Sequence, residues 1–195
     1  MTVAAVVLAA GASRRLGQPK QVLALDGATV LDATLAVALQ SGCGQVVAVL
    51  GGGADLVRAE VDLSAVDVVE NRDYGEGCAT SIRTALGALS PETEGIVLML
   101  GDQPRVRVDT IVSLVAAARG HAVGVCEYDD GLGHPLWFDR GMFDALEAMH
   151  GDKAVWKLVD AAGPEADVVR VRVPGAVPRD VDTWDDYQAL LAGQA

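Results

Sequence analysis

Residues 3–20 read VAAVVLAAGASRRLGQPK and join a short apolar run to a basic loop that contains glycine. The first part, Val3–Leu8, is apolar throughout, as expected of a strand that is covered on both faces. The loop that follows, Leu8–Lys20, contains Gly11 and Gly17 together with two arginines and a lysine. In open α/β sheets, ligands bind at the carboxyl ends of the strands. The stretch therefore predicts a parallel sheet and the edge of that sheet at which a ligand binds.

Apolar runs rich in valine recur along the chain and alternate with stretches of helical spacing. The predicted strands are Val3–Leu8, Val46–Leu50, Val66–Val69, Ile96–Leu100, Ala122–Cys126 and Val168–Val173. The predicted helices are Val30–Gln40, Ala54–Val61, Ala79–Leu89, Val108–Arg119, Met142–Met149, Lys153–Ala161 and Asp182–Leu191. This alternation favours a mainly parallel sheet with right-handed crossovers. We expect a single-domain α/β three-layer sandwich over residues 1–195, because no repeat or change of composition marks a second domain.

The composition excludes several classes of protein. Hydrophobic residues make up 51% of the chain and charged residues 22%, which is typical of a globular protein. The formal net charge of −12 disfavours binding to nucleic acid or anionic membranes, since both attract basic surfaces. The three cysteines lack the spacing of a disulfide framework or a zinc site, and the first apolar run is too short for a membrane span. We expect a cytoplasmic protein that binds neither nucleic acid nor membrane.

The Leu8–Lys20 loop has the composition of a phosphate-binding loop. Backbone N–H groups in such a turn form an anion-binding nest, and Arg15 and Lys20 add charge that can neutralise phosphate oxygens. The lysine follows a proline and precedes a glutamine, which excludes the Walker loop, and the glycine spacing excludes the dinucleotide-binding loop. An ordinary strand-to-helix turn with basic surface residues is the alternative interpretation.

Two acidic segments contain candidate metal ligands. Asp102 directly follows the predicted strand Ile96–Leu100, and its carboxylate is the kind of hard oxygen ligand that Mg²⁺ prefers. Asp180 and Asp182 precede the last predicted helix. A turn at Asp102 and helix capping at Asp182 or Thr183 are the structural alternatives, but capping does not explain Asp180.

Three further segments contain candidate substrate contacts. His134 lies between a glycine and Pro135, so we expect it in a loop rather than in the core. In that loop, His134 would contact the acceptor substrate. Gly77 and Ser81 flank the start of a helix and are candidates for nucleobase or ribose contacts. Helix capping by Thr80 or Ser81 is the alternative. Asp152 also opens a predicted helix, where a first-turn carboxylate stabilises the helix without any ligand.

Together these motifs resemble the molybdenum cofactor nucleotidyltransferases, MobA-like NTP transferases with a GT-A-like fold. The family signature is L-A-x-G-x-S-x-R-h-G-x-x-K, where h is hydrophobic, and it is matched by Leu8, Ala9, Gly11, Ser13, Arg15, Leu16, Gly17 and Lys20. The resemblance implies a Rossmann-like sheet of the nucleotide-diphospho-sugar transferase type. It also implies that Asp102 is the metal-binding aspartate after the central strand and that Asp182 is the preferred second ligand.

Within the family, the chain is most similar to the cytidylyltransferase branch. Ala10 stands where guanylyl enzymes usually carry a second glycine, and the segments 80–83 and 133–135 also resemble the cytidylyl branch. Residues 151–156 read GDKAVW, whereas that branch typically has Gly-Asp-x-Gly-Ala-Arg. Trp156 therefore replaces an arginine that can form two hydrogen bonds to an oxyanion, and Lys157 cannot reproduce that geometry. This departure leaves the identity of the acceptor open.

The resemblance implies a Mg²⁺-dependent transfer of CMP from CTP to a phosphorylated acceptor such as the molybdopterin cofactor, with release of pyrophosphate. The predicted nucleotide-binding residues are Leu8, Ala9, Ala10, Gly11, Ala12, Ser13, Arg15, Lys20, Gly77, Ser81 and Asp102. Of these, Arg15, Lys20 and Asp102 are the predicted catalytic residues. The predicted acceptor-binding residues are His134, Pro135 and Asp152, and the predicted Mg²⁺ ligands are Asp102 and Asp182.

Three alternatives stay open from the sequence. The first is transfer from GTP or another NTP to a different acceptor, such as a sugar phosphate or another cofactor precursor. The second is a module that binds a nucleotide or cofactor without turnover. The third is a redox Rossmann enzyme, against which the missing G-x-G-x-x-G motif argues. The one protein partner considered is an enzyme that receives the cofactor through a transient contact.

Overall fold

A computed structural model of the chain describes residues 2–151, 154–161 and 167–193. The strands are β1 (Thr2–Ala9), β2 (Ala24–Leu25), β3 (Ala28–Thr29), β4 (Gln45–Leu50), β5 (Asp67–Glu70), β6 (Thr93–Leu100), β7 (Val123–Glu127), β8 (Leu132–Asp139) and β9 (Val168–Arg172). The α-helices are α1 (Val30–Gln40), α2 (Ala54–Glu60), α3 (Cys78–Leu86), α4 (Val108–Ala118), α5 (Phe143–Glu147), α6 (Ala154–Ala161) and α7 (Trp184–Leu191). Short 3₁₀ turns occupy Lys20–Val22, Tyr74–Glu76 and Arg140–Met142.

The central sheet has seven strands within the described ranges, in the order β5-β4-β1-β6-β8-β7-β9. β1 pairs in parallel with both β4 and β6, β4 pairs in parallel with β5, and β7 pairs in parallel with β9. β8 runs antiparallel to its neighbours β6 and β7. The predicted α/β fold with a mainly parallel sheet is confirmed. The carboxyl ends of β1, β4 and β6 lie side by side at one edge.

Helices cover both faces of this sheet and form the outer layers of the sandwich. Val7 of β1 packs in one apolar cluster with Leu31 of α1 and Ile111 of α4. Val6 packs in a second cluster, which includes Ile82 of α3 and Leu146 of α5. Successive side chains of a strand point to opposite faces, so β1 is buried on both faces. This explains why the sequence of β1 is apolar throughout rather than alternating.

The prediction that His134 lies in a loop is wrong, since His134 belongs to β8, as does Pro135. Glycine and proline are typical of turns, and a proline removes a backbone donor from a sheet. The chain accommodates them in a bulge. Val125 and Cys126 are consecutive on β7, yet they pair with Leu136 and Gly133, so that His134 and Pro135 are two extra residues on β8. A bulge of this kind interrupts the regular pairing, so no ladder hydrogen bond depends on the N–H group that proline lacks.

Candidate active site

The loop after β1 forms one wall of a cavity of about 220 Å³ at the carboxyl ends of the strands. The chain does not pass from this loop directly into a helix, because a 3₁₀ turn and the β2–β3 hairpin precede α1. The loop is therefore not an ordinary strand-to-helix turn. The residues that line the cavity are Leu8, Ala9, Ala10, Gly11, Lys20, Gln21, Tyr74, Gly77, Cys78, Ser81, Leu100, Gly101 and Asp102.

Many of the predicted nucleotide-binding residues meet in this cavity, although they come from three separate parts of the chain. Gly77 and Ser81 at the start of α3 face the loop residues Leu8–Gly11, and Asp102 lies at the end of β6. Ala12 and Ser13 continue the loop beyond the cavity wall. The cavity is smaller than most ligand pockets, which measure about 300–1,000 Å³. A ligand as large as a nucleotide would therefore extend beyond the cavity.

Lys20 lies between two carboxylates at the rim of the cavity. Its Nζ contacts Oδ2 of Asp102 and donates a hydrogen bond of 2.7 Å to Oδ1 of Asp182. Arg15 donates to the other carboxylate oxygen of Asp182, Oδ2, also at 2.7 Å. The backbone N–H of Val181 donates to the carbonyl oxygen of Asp102 at 3.1 Å, which fastens the two acidic segments together. The fold thus places the two predicted metal ligands beside the two predicted cationic residues.

The electrostatics of this cluster follow from the contacts. Burial lowers the pKa of Lys20, but the charge of Asp102 and hydrogen bonds to Asp102 and Asp182 outweigh burial and raise that pKa above its usual value. The hydrogen bond from Lys20 lowers the pKa of Asp182, and Arg15 contributes in the same direction. Lys20 therefore stays protonated and Asp182 ionised at neutral pH.

Asp182 is not the cap of the helix that follows it. Thr183 is the N-cap of α7, and its side chain forms a capping box with Asp186. Capping therefore explains Thr183 and Asp186 but leaves the Asp182 carboxylate directed at Lys20 and Arg15. The carboxylate of Asp182 is available for a ligand in a way that a capping carboxylate is not.

Asp180 lies in a different environment. Its Oδ1 accepts a hydrogen bond of 2.8 Å from Nε2 of Gln103, which also donates to the carbonyl oxygen of Pro178 at 3.0 Å. Burial and the nearby charge of Asp102 raise the pKa of Asp180. Within residues 2–151, 154–161 and 167–193, no group of three or more His, Cys, Asp and Glu side chains is arranged to hold a metal ion. A site formed by Asp102 and Asp182 still fits Mg²⁺, which is often held by one or two carboxylates together with substrate phosphates.

The loop rests on a run of three glycines that the sequence analysis did not single out. The N–H of Gly52 donates to the carbonyl oxygen of Ala10 at 2.9 Å. A Cβ atom on Gly52 would lie 2.6 Å from Cα of Ala12, and one on Gly53 would lie 2.5 Å from Cγ of Pro19. Only glycine allows this close approach of the two backbones. The signal was present, because these glycines directly follow the predicted strand Val46–Leu50.

The start of α3 is organised by a buried asparagine. Nδ2 of Asn71 donates to Oγ1 of Thr80 at 2.8 Å and to Oγ of Ser81 at 2.9 Å. The helix begins at Cys78, and its N-cap is Gly77, which has a φ of 108° and no side chain to form a cap. Helix capping by Thr80 or Ser81 is therefore wrong as an explanation of these residues. Ser81 is instead fixed by Asn71 in the cavity wall.

His134 is buried rather than exposed in a loop. Burial lowers its pKa to about 4, so the ring is neutral at neutral pH. The ring packs edge to face against Trp156 of α6, with centroids 5.5 Å apart. His134 and Pro135 do not line the cavity, although their strand passes the same edge of the sheet. Asp152, the third predicted acceptor contact, lies outside the described residues.

Comparison with known proteins gives the family. The model of the MobA-like NTP transferase domain matches residues 5–167. The chain belongs to the MobA-like NTP transferases. Among the curated relatives of this MobA-like chain is the nicotine blue oxidoreductase of Paenarthrobacter nicotinovorans, 32% identical over 152 residues and 74% of each chain. The molybdenum cofactor cytidylyltransferase of Escherichia coli is 31% identical over 133 residues and 67% of each chain.

Two solved structures are similar to this MobA-like chain. Rv0371c from Mycobacterium tuberculosis H37Rv is 48% identical and superposes with a TM-score of 0.92 over 98% of both chains. A structure of Rv0371c in complex with manganese is 47% identical, with a TM-score of 0.88 over 98% of this chain and 99% of that one. The MobA-like family supports an enzyme with activity of the nucleotidyltransferase type. In the described part of the chain, every helix falls short of the length and apolar character needed to cross a bilayer.

Proposed function

We propose that the chain transfers CMP from CTP to a phosphorylated small molecule and releases pyrophosphate. The observation that carries the proposal is the contact of Lys20 with both Asp102 and Asp182 at the rim of the cavity. In the proposal, Lys20 is the cation for the phosphates, and Asp102 and Asp182 beside it are the carboxylates for a metal ion. In the reaction, an oxygen of the acceptor phosphate attacks the α-phosphorus of CTP. The bond from the α-phosphorus to the bridging oxygen breaks, and pyrophosphate leaves with the electron pair.

Catalysis in this scheme is mainly positioning and charge stabilisation. Lys20 and Arg15 neutralise the charge that develops on the leaving pyrophosphate, and the N–H groups of Gly11 and Ala12 bind phosphate oxygens. The attacking phosphate is already anionic, so it needs no general base. Burial lowers the pKa of His134 to about 4, so the ring is a weak base, which agrees with a reaction that has no such base.

The carboxylates of Asp102 and Asp182 would hold the divalent cation, Mg²⁺ in our proposal. When bound, such an ion neutralises charge on the phosphate oxygens and aligns them. The manganese complex of Rv0371c supports a divalent cation in this family. Lys20 now contacts both carboxylates, so its ammonium group would move towards the phosphates when the cation is held there.

We place the acceptor side next to β8 and α6, with His134, Pro135 and Asp152 as its residues. The Escherichia coli relative, which is named a molybdenum cofactor cytidylyltransferase, supports a pterin phosphate acceptor. Trp156 in place of the usual arginine favours a different phosphorylated acceptor, such as a sugar phosphate. For a pterin cofactor, the product would pass to a receiving enzyme through a transient contact. We propose the cytoplasm as the site of action, where both substrates would be found.

The test is a pyrophosphate-release assay with each of the four common NTPs, Mg²⁺ or Mn²⁺, and a panel of phosphorylated acceptors. We expect release with CTP that depends on the acceptor and is lost in Asp102→Asn. Binding of CTP without release for any acceptor would favour a non-catalytic module instead. The name of the relative nicotine blue oxidoreductase gives the second candidate function, a redox reaction. This chain is therefore also assayed for oxidation of NADH and NADPH with quinone-like dyes. Turnover in that assay alone would overturn the transferase proposal.

A further inference from the structure

Gln21 is a buried polar residue in the cavity wall that has no role in the scheme above. Its side chain is only 2% exposed. Nε2 donates to the carbonyl oxygen of Ala9 at 2.7 Å and to that of Gly11 at 3.3 Å. Oε1 is buried and has no hydrogen-bond partner in the described part of the chain. A buried amide oxygen without a partner lowers stability, so stability alone does not explain a glutamine here.

The contacts of Gln21 fix the direction of successive peptide groups. The carbonyl oxygens of Ala9 and Gly11 accept from Gln21, and the one between them, that of Ala10, accepts from the N–H of Gly52 at 2.9 Å. In a trans peptide, the N–H of the next residue points opposite to the carbonyl. Holding these three carbonyls therefore also fixes the directions of the N–H groups of Ala10, Gly11 and Ala12.

Open space borders this part of the loop. Ala10 and Gly11 both line the cavity, and a Cβ atom on Gly11 would meet nothing within 4 Å. N–H groups of the loop that faced this cavity, next to Lys20, would form a site for an anion. If a carbonyl of this loop turned towards the cavity, its oxygen would repel phosphate oxygens.

We propose that Gln21 is the positioning residue of the phosphate-binding loop. Its amide holds the peptide groups on both sides of Ala10, so that the N–H groups of the loop face the polyphosphate of the ligand. The proposal rests on the proposed function and adds to it a residue that acts through the loop backbone.

The test compares Gln21→Met and Gln21→Glu with Gln45→Met. Methionine keeps the length of the side chain but has no N–H donor, and glutamate places a carboxylate against the two carbonyls. Gln45 is the matched control, because its Nε2 also donates to two acceptors, Asp67 at 2.8 Å and the carbonyl of Ala88 at 3.0 Å, away from the cavity. Melting temperature is measured for each variant, together with the Kd of inorganic triphosphate, CTP and cytidine by calorimetry.

We expect both Gln21 variants to bind triphosphate and CTP about tenfold more weakly or worse, with cytidine affinity unchanged. Gln45→Met should have a lower melting temperature than the wild type but the same affinities for triphosphate, CTP and cytidine. If the Gln21 variants bind triphosphate like the wild type, or lose cytidine affinity in parallel, the positioning role is wrong. If the wild type binds neither CTP nor triphosphate, the proposed function fails and the positioning role fails with it.

Discussion

On the nucleotide side of the candidate site, Lys20 contacts Asp102 and Asp182, and further hydrogen bonds fix the surrounding residues. On the acceptor side, the ring of His134 packs against Trp156, and no hydrogen bond to the ring is found within the described residues. The first side is held by charges and polar contacts between distant segments. The second, in its described part, is held mainly by packing, together with a hydrogen bond of 2.7 Å from the Tyr128 hydroxyl to the carbonyl oxygen of His134. A polar network fixes directions and therefore suits a ligand of constant chemistry, such as a triphosphate. Packing tolerates substitution more easily and suits a partner that varies within a family.

The largest effect should come from breaking the polar side at Lys20. We expect Lys20→Met to lower transferase turnover on the order of 10²-fold or more, because a well-placed cation at the leaving group is lost. Binding of Mn²⁺ alone should become tighter, by about tenfold, because the ammonium group that competes for Asp102 and Asp182 is gone. Pyrophosphate release gives the turnover, and the electron paramagnetic resonance of free Mn²⁺ gives the metal affinity.

Arg170→Met is the control for Lys20→Met, since it removes a positive charge on an exposed side chain of β9 next to Glu127. It should change neither turnover nor Mn²⁺ affinity. Equal or weaker Mn²⁺ binding in Lys20→Met would show that the two carboxylates do not form the cation site.

Two glycines on the nucleotide side have different expected roles, Gly52 in stability and Gly11 in ligand binding. Gly52→Ala places a Cβ atom 2.6 Å from the backbone of Ala12 and should destabilise the fold by about 1–3 kcal/mol. Gly11→Ala meets nothing within 4 Å, so it should leave stability unchanged yet weaken CTP binding on the order of tenfold. Urea unfolding and calorimetry measure the two quantities. A loss of stability in Gly11→Ala would mean that its glycine serves the fold rather than the ligand.

His134 tests whether the acceptor side is held by packing. Its folded-state pKa of about 4 is below the usual 6.5, so the unfolded chain binds a proton that the folded chain does not. The stability that the neutral ring gives the folded state is fully present above pH 6.5 and is lost as the pH falls towards 4. The free energy of unfolding falls by up to about 3 kcal/mol over this range. His134→Phe should therefore show a flatter fall in urea-unfolding free energy over this range than the wild type. Parallel pH profiles for the two proteins would contradict a buried, neutral ring.

The smallest effect is expected from changing Trp156 on the acceptor side. Trp156→Arg removes an aromatic contact with His134 that is worth about 0.5–1.5 kcal/mol. It restores the donor that the cytidylyl branch usually has, so pterin phosphate should become a better acceptor by a few-fold. The KM for CTP should stay the same, and Trp156→Phe should leave acceptor choice as it was. A change in the KM for CTP would show that the two sides are not separable.

The sequence predicts the features that depend on neighbouring residues. The valine-rich runs predict the parallel strands, and Asp102 follows its strand directly, so its place at the sheet edge could be inferred. The contacts of Gln21, Asn71 and Gly52 could not, because each depends on a backbone or side chain that only the fold brings near. β8 was missed for a different reason: glycine and proline are typical of turns, and nothing local indicates a bulge that accommodates them.

The contact between Lys20 and Asp182 joins residues 162 positions apart. A contact between such distant positions carries a cost in chain entropy, because a long stretch of chain must be closed into a loop. Asp182 reaches Lys20 through the segment that leads into α7, so detachment of this helix together with Val181 would remove Asp182 from the cluster while the seven-stranded sheet stays intact. The affinity for cations would then report on a local opening of the protein long before global unfolding. Hydrogen exchange of α7, compared with that of β1, would measure how often the contact between Lys20 and Asp182 opens.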